Sequence, residues 1–491
     1  MDILIALSPL VAVSIGALLL MLAEAFSKQR TGIALGAAVI QASGAVFAGA
    51  VWLYGLESLN GLDVLKPWLI VDRFTLFFDM LICLGGALAS LLAGGYLREH
   101  RIERGEFYAL MLFATIGAMM IASAGDTLTL FIGLETMSIG AYAMTAFRRG
   151  SQRSTEAAIK YFLLGSFAAA ILLYGFALLY GATGHTDLEG IAASLEGNAS
   201  PYPQLSIIGM LLVVVGLAFK VSAVPFHAWT PDAYEGAPTP ATSYMAVAVK
   251  AGAFAMMMRV LFVGFGDARS MSWFAGWPPV IAGLAVVTMS VANLIAGRQE
   301  SVKRMLAYSS IAHAGYLLVG VVCAIRGGDA FSSVLFYLLT YTVSTIGAFG
   351  GLILCGSFGK EAVSYEDLSG LGKRHPAVAL PLAFFCLSLA GIPPTAGFFG
   401  KWYLIKSAMD GGFQWLAIIA LVNSVFGAYY YLRVLVFLYM REPAAGAPVA
   451  IPMKSGYVAA ALILAGAFVV LLGLSPDNAI GIAAKATIAG H

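Results

Sequence analysis

The sequence predicts an all-α polytopic membrane protein of about 14 transmembrane helices, with two inverted five-helix repeats and broken helices at spans seven and twelve. Three observations lead there. The 491 residues are 60% hydrophobic and only 11% charged, with a mean hydropathy of +0.87, a balance foreign to a water-soluble domain. Apolar stretches of about 20 residues, the length that crosses a hydrocarbon core, follow one another with short polar loops between. Two of those stretches, KVSAVPFHAWTPDAYEGAPTP and LSLAGIPPTAGFFGKW, are interrupted by proline in the same manner.

In chain order, spans lie near residues 3–24, 33–56, 73–97, 107–124, 127–147, 157–181 and 205–225. The second half follows near 239–265, 277–297, 304–325, 329–356, 377–409, 413–440 and 456–474. The leading MDILIALSPLVAVSIGALLLMLAEAF has neither a basic start nor an A-x-A-like end, so it reads as a retained first span. An even count puts both termini on one side, and the positive-inside rule decides which. Loops after odd spans carry Lys28 and Arg30; Arg98, Arg101 and Arg104; Arg148, Arg149 and Arg153; Arg298, Lys303 and Arg304; Lys360, Lys373 and Arg374; Arg441 and Lys454. Loops after even spans hold only isolated cations such as Lys66, Arg269 and Arg326. The termini are therefore expected on the outer side. The stretch 229–238 after span seven, which carries no cation, is a neutral exception.

Grouping spans four to eight and nine to thirteen makes the interrupted helix the fourth member of each set. Five is odd, so the two sets enter the membrane from opposite sides. The expected divisions are three N-terminal spans over 1–105, a first repeat over 106–266, an inverted second repeat over 270–441 and a final span within 442–491. Broken helices at matching places point to an ion or substrate site near the midplane; a plain packing kink is the alternative at either proline alone.

Several chemistries are excluded. Cys83, Cys323, Cys355 and Cys386 lie in apolar runs with no CxxC or Cys/His cluster, so iron–sulfur and structural zinc sites lack support. No GxGxxG follows a strand and no P-loop is present, so no cofactor is expected. A net charge of +2 spread over scattered loops gives no nucleic-acid patch.

Four ionisable residues stand deep within spans: Glu135 in LFIGLETMSIG, Lys220 in GLAFKVS, Lys250 in AVAVKAGAF and Lys401 in FFGKWYL. A lone charge at the bilayer centre costs roughly 2.5–3.5 kcal/mol, which makes each a functional candidate. Lys401, near a helix end, has snorkelling to water as its structural alternative. Burial favours a neutral amine and a neighbouring carboxylate favours the ammonium, so a lysine beside a movable glutamate accepts and releases a proton in turn. Glu135 with Lys220 is read as such a switchable pair, and Lys250 and Lys401 as further stations. His227, beyond Pro225, and His313, amid Tyr308, Ser309, Ser310 and Tyr316, are candidate relays; a neutral histidine packed between helices is the alternative for both. The hydroxyls of LLTYTVST read as helix-packing groups. Arg259 and Arg433 read as headgroup contacts or structural pairs, and Asp72 and Asp126 as interfacial caps.

Six segments carry a family resemblance: GLETMSIGAYAMTAF, STEAAIKYFLLGSFAAAILLYGFALLYGATG, GLAFKVSAVPFHAWTPDAYEGAPTP, SVKRMLAYSSIAHAGYLLVG, YEDLSGLGKRHP and LAGIPPTAGFFGKWYL. Across most of residues 100–441 the chain resembles the antiporter-like membrane subunits of proton-pumping NADH:quinone oxidoreductase, respiratory complex I. Among the three sister types it is similar to N, because Lys401 stands where the M type has glutamate. The resemblance implies 14 helices with two inverted five-helix repeats. It also implies proton-transfer roles for Glu135 on helix five, Lys220 on broken helix seven, Lys250 on helix eight and Lys401 on broken helix twelve. It further implies a bacterial inner membrane location, a non-redox role in a translocase, no cofactor in this chain, and partners in the M- and K-type membrane subunits and, through them, the hydrophilic redox arm. A subunit of a multi-subunit sodium/proton antiporter, built on the same ancestral fold, is the alternative.

Overall fold

A computed structural model describes residues 1–26, 32–196, 203–443 and 450–488; Lys28 and Arg30, counted above among the basic loops, lie outside them. Among the described residues 13 helices are long and apolar enough to cross a membrane. They are α1 (Ser8–Phe26), α2 (Ile33–Tyr54), α3 (Arg73–Glu99), α4 (Gly105–Ser123), α5 (Thr127–Thr145), α6 (Gln152–Thr183) and α7a (Pro203–Lys220). Then come α8 (Thr239–Gly264), α9 (Pro278–Ala296), α10 (Val302–Cys323), α11 (Ala330–Leu354), α13 (Gln414–Tyr439) and α14 (Gly456–Leu474). The fourteenth crossing is made in two pieces, α12a (Pro376–Ala390) and α12b (Ala396–Asp410). Helix α7a is likewise continued by a short α7b (Trp229–Gly236). Both expected interruptions are present.

Local signals set the helix starts. Asp72 caps α3 by accepting the Thr75 N–H, and Asp126 caps α5 by accepting that of Thr129, satisfying donors that have no intrahelical partner. Ser151, Ser301 and Ser455 do the same for α6, α10 and α14. Burial is uneven. Helices α3, α8, α10 and α11 are almost wholly enclosed, whereas only a minority of α1 and α2 is buried. Large apolar side chains such as Leu19 on α1, Phe162 and Phe167 on α6 and Val425 on α13 stand uncovered, as lipid-facing residues do. Lys250 and His313 lie on the enclosed helices α8 and α10, whereas Glu135, Lys220 and Lys401 lie on the partly buried α5, α7a and α12b.

Arg259, near the far end of α8, is a structural pair and not a headgroup contact. At 1% exposure it binds Asp72 through two hydrogen bonds of 2.6 and 3.1 Å, donates to Thr75 Oγ1 and the Ala122 carbonyl at 2.8 Å each, and lies over the Phe74 ring. This ties α8 to α3 and α4. Arg433 is also internal, donating to the carbonyls of Gly297 and Gln299 and stacking on Tyr365. Breaking a buried pair by removing one partner costs about 3–5 kcal/mol, while replacing both is far milder. Arg259→Met is expected to lower the thermal midpoint of the purified membrane assembly sharply, and Arg259→Met with Asp72→Leu to lower it less.

Candidate functional site

The two breaks close by the same backbone device. At the first, Ser222 adopts φ +64° and the Ala223 N–H reaches back to the Ala218 carbonyl at 2.8 Å. At the second, Gly391 adopts φ +86° and the Ile392 N–H reaches the Leu387 carbonyl at 3.1 Å. A left-handed residue followed by a six-to-one hydrogen bond is how a helix ends without orphaning its last carbonyls. A proline follows three residues later in each, at Pro225 and Pro394. Glycine suits its position doubly, because a Cβ at Gly391 would meet Lys401 Cδ at 3.0 Å. Ser222 holds its unfavourable φ with help: Thr230 Oγ1 donates to its hydroxyl at 2.8 Å, and Thr288 on α9 accepts the Val224 N–H at 2.9 Å.

All three predicted lysines are enclosed, at 7% exposure for Lys220, 3% for Lys250 and 8% for Lys401, so Lys401 does not snorkel. None has a carboxylate partner among the described residues. Lys220, the last residue of α7a, donates to Ser138 Oγ at 2.8 Å. Ser138 sits on α5 one turn from Glu135, whose Oε1 is buried without a hydrogen-bond partner. The expected ion pair is thus open in this conformation, with Lys220 bonded to the turn of α5 next to the one that carries Glu135.

Lys250 follows directly on a π-helical turn of α8, Met245–Val249, a distortion that often marks functional positions. Its ammonium donates to the Ser310 carbonyl and hydroxyl at 2.5 Å each and lies 5.5 Å from the Tyr341 ring centroid. The Tyr341 hydroxyl also donates to Ser310 Oγ, at 2.9 Å.

From Ser310 a polar stripe runs along α10. Ser310, His313 and Tyr316 are spaced three apart and share one face. His313 is bonded at both ring nitrogens, Nδ1 to the Tyr337 hydroxyl at 2.6 Å and Nε2 to the Tyr431 hydroxyl at 3.0 Å, and Tyr431 bonds Ser309 in turn. Tyr316 turns its ring toward Lys401, with Nζ 5.5 Å from the centroid, within cation–π range. Lys401 donates to the Ala390 carbonyl, released by the break at the end of α12a, at 2.9 Å, and to Ser424 Oγ at 3.2 Å. A small cavity beside it is walled by Tyr316, Leu404, Ala420 and Ser424.

His313 therefore joins the stripe from Lys250 to Lys401, whereas His227 does not. His227 is half-buried in the first break beside exposed Pro225 and Ala228, and its Nδ1 has no partner. Three buried Asp and Lys residues, Asp79, Asp267 and Lys303, went unrecognised in the sequence. Asp79, on α3, is 5% exposed with Oδ1 unpartnered; its place in RFTLFFDMLICL is the same signal that marked the other four. Lys303, counted as a loop cation, is 1% exposed.

A profile of the family described as NADH:quinone oxidoreductase/Mrp antiporter, transmembrane region, matches residues 124–427. NADH-quinone oxidoreductase subunit N 1 of Sorangium cellulosum is 65% identical over 99% of both chains. The chain belongs to the NADH-quinone oxidoreductase subunit N family. Subunit N of Myxococcus xanthus is 42% identical over 97% of this chain and 95% of its own. Among solved structures, respiratory complex I from Thermus thermophilus with bound aureothin contains a chain 33% identical to this one, with a TM-score of 0.78 over 96% of this chain and 98% of that one. A chain of the Mrp complex from Dietzia sp. matches with a TM-score of 0.84 over 98% and 97% at 21% identity, a likeness of fold alone.

At the α7 break the Val224 N–H has the Thr288 hydroxyl as its acceptor. An orphaned buried N–H costs about 1–3 kcal/mol. Thr288→Val is expected to cost about that much unfolding free energy and so to lower the thermal midpoint, whereas Thr288→Ser, which keeps the acceptor, is expected to leave it nearly unchanged.

Proposed function

We propose that this chain is the proton-translocating N subunit of an NADH:quinone oxidoreductase, moving protons across a bacterial inner membrane through Glu135, Lys220, Lys250 and Lys401 with His313 as a relay. The observation that carries the reading is that three enclosed ammonium positions rest on hydroxyls and backbone carbonyls while the nearest predicted carboxylate, Glu135, stands unpaired on the turn next to Lys220's partner. A lysine held this way has no fixed counter-ion. Its charge therefore depends on groups that move.

With Glu135 drawn close, the Lys220 ammonium is favoured; with Glu135 withdrawn, the amine is favoured and the proton passes on. Lys250 receives it through water between the two helices, and Ser310, His313 and Tyr316 lead from Lys250 to Lys401. The chain performs no redox step. Quinone reduction elsewhere in the complex supplies the energy, transmitted by charge rearrangement in neighbouring membrane subunits of the M and K types. Both termini face the periplasm in this reading. The two repeats, 106–266 and 270–441, supply one half of the route each.

A sodium/proton antiporter subunit is the competing function, since the Mrp complex shares the fold. The 65% identity over nearly the whole of a subunit N sequence favours the oxidoreductase. Co-purification with quinone reductase activity supports it, and sodium efflux without that activity contradicts it.

A positioned proton-transfer group contributes roughly 100-fold or more to rate. Lys250→Met and Glu135→Gln, in complexes that still assemble, are expected to cut proton transport into vesicles at least about tenfold on that basis. His313→Ala is expected to reduce it severalfold and His227→Ala to leave it intact. Undiminished transport in both Lys250→Met and Glu135→Gln would mean that the buried charges only hold helices in register.

A further inference from the structure

The corner between α7b and α8 is held by a second buried ion pair that no part of the path described above uses. Glu361, in the loop from α11 to α12a, accepts hydrogen bonds from the Tyr96 hydroxyl at 2.5 Å and Thr239 Oγ1 at 2.6 Å. Lys303, in the first turn of α10, approaches both Glu361 oxygens at 3.4 Å and donates to the Ala237 carbonyl at 2.7 Å. Arg148, just past the end of α5, bonds the Tyr96 hydroxyl at 3.3 Å and His100 Nδ1 at 2.7 Å, and His100 stacks on Tyr96.

The placement is set by helix ends. Ala237 is the C-terminal cap of α7b and Thr239 the first residue of α8. A helix carries partial negative charge at its C-terminus and partial positive charge at its N-terminus. The Lys303 ammonium therefore sits on the negative end of α7b and the Glu361 carboxylate on the positive end of α8, two residues apart in the chain. Burial alone would raise the Glu361 carboxyl, but Lys303, the two hydroxyls and Arg148 outweigh it and bring it to about 2, so the carboxylate is ionised at neutral pH. Its side chain is 20% exposed at the basic-loop face while Lys303 is 1% exposed, so water reaches the anion and not the cation.

The pair also joins parts that are far apart in sequence. Thr239, Ala237 and Arg148 come from the first predicted repeat, Lys303 and Glu361 from the second, and Tyr96 and His100 from α3. Lys303 begins the face of α10 that carries Ser310 two turns further on, and Ser310 holds Lys250. Tyr234, one turn before Ala237 on α7b, reaches the Ser310 side chain as well. The corner and the partner of Lys250 are thus joined through α10 and α7b.

We propose that Glu361 and Lys303 form an electrostatic clamp on the α7b–α8 corner that positions Lys250 against Ser310, and that proton transport requires the charge of both members. They act as positioning residues, through Lys250. The proposal rests on the function proposed above.

The test uses the complete complex in vesicles, with proton transport normalised to the amount of assembled complex. Gln at 361 still accepts from Tyr96 and Thr239, so a merely structural contact survives Glu361→Gln while the clamp does not. Glu361→Gln and Lys303→Met are each expected to lower transport about fivefold or more, the scale of an interaction lost between a buried charge and a helix end. Glu361→Asp and Lys303→Arg are expected to retain most of it. The double variant Glu361→Gln/Lys303→Met is expected to be no worse than the poorer single one, because the two act as a unit. Normal transport in Glu361→Gln or in Lys303→Met overturns the clamp. Lys250→Met in the same assay separates the claims: inactive Lys250→Met beside normal Glu361→Gln removes the clamp alone, and normal Lys250→Met removes the underlying proton path. Should Glu361→Gln not assemble, Lys303→Met against Lys303→Arg decides with the same outcomes.

Discussion

An ammonium group inside hydrocarbon must find oxygen, and much else in this molecule follows from where that oxygen comes from. An unpartnered polar group in such a medium costs several kcal/mol. Lys401 takes a carbonyl that exists only because the twelfth helix stops at Ala390. Lys303 takes the carbonyl of Ala237, the residue that caps the end of α7b. Lys220 is itself the final residue of α7a and takes a hydroxyl from α5. Breaking helices is costly in a membrane; at the second break a cation takes the freed carbonyl, whereas at the first Lys220 turns to a hydroxyl of a neighbouring helix.

The two interruptions nonetheless share one backbone geometry. A left-handed residue, a six-to-one hydrogen bond and a proline three positions on make each break a fixed geometry and not a flexible joint. Rigidity matters because a cation that shares no ion pair is held only by the direction of a few dipoles. Lys250 lacks a break of its own, and a π-helical turn beside it with the Ser310 carbonyl of α10 takes that part. Three lysines thereby reach the same electrostatic condition, buried and uncompensated, by different local means.

Much of this was legible in the sequence. Apolar runs gave the 14 crossings because length and hydropathy alone decide them, and the prolines gave both breaks. Glu135, Lys220, Lys250 and Lys401 stood out because a charge in an apolar run has few innocent explanations. Asp79 bore that mark too and was passed over. Partnerships were illegible for a physical reason: Arg259 meets Asp72 across 187 positions and Glu361 meets Lys303 across 58, distances that periodicity does not encode. Lys303 misled because a basic residue at a helix start reads as a membrane-surface cation, and only packing shows that α7b covers it. The open state of Glu135 and Lys220 depends on side-chain rotamers, which no pattern of residue types fixes.

The central claim is that Lys220 exchanges between Ser138 and Glu135 as the complex works. Electron cryomicroscopy of the assembled complex at rest and during NADH oxidation, at a resolution that places side-chain atoms and water, measures this directly. The account predicts two populations, one with Lys220 Nζ on Ser138 and one with it at hydrogen-bond distance from a Glu135 oxygen, their ratio changing with turnover. Lys220 fixed on Ser138 in every state, with Glu135 never approaching, would contradict it.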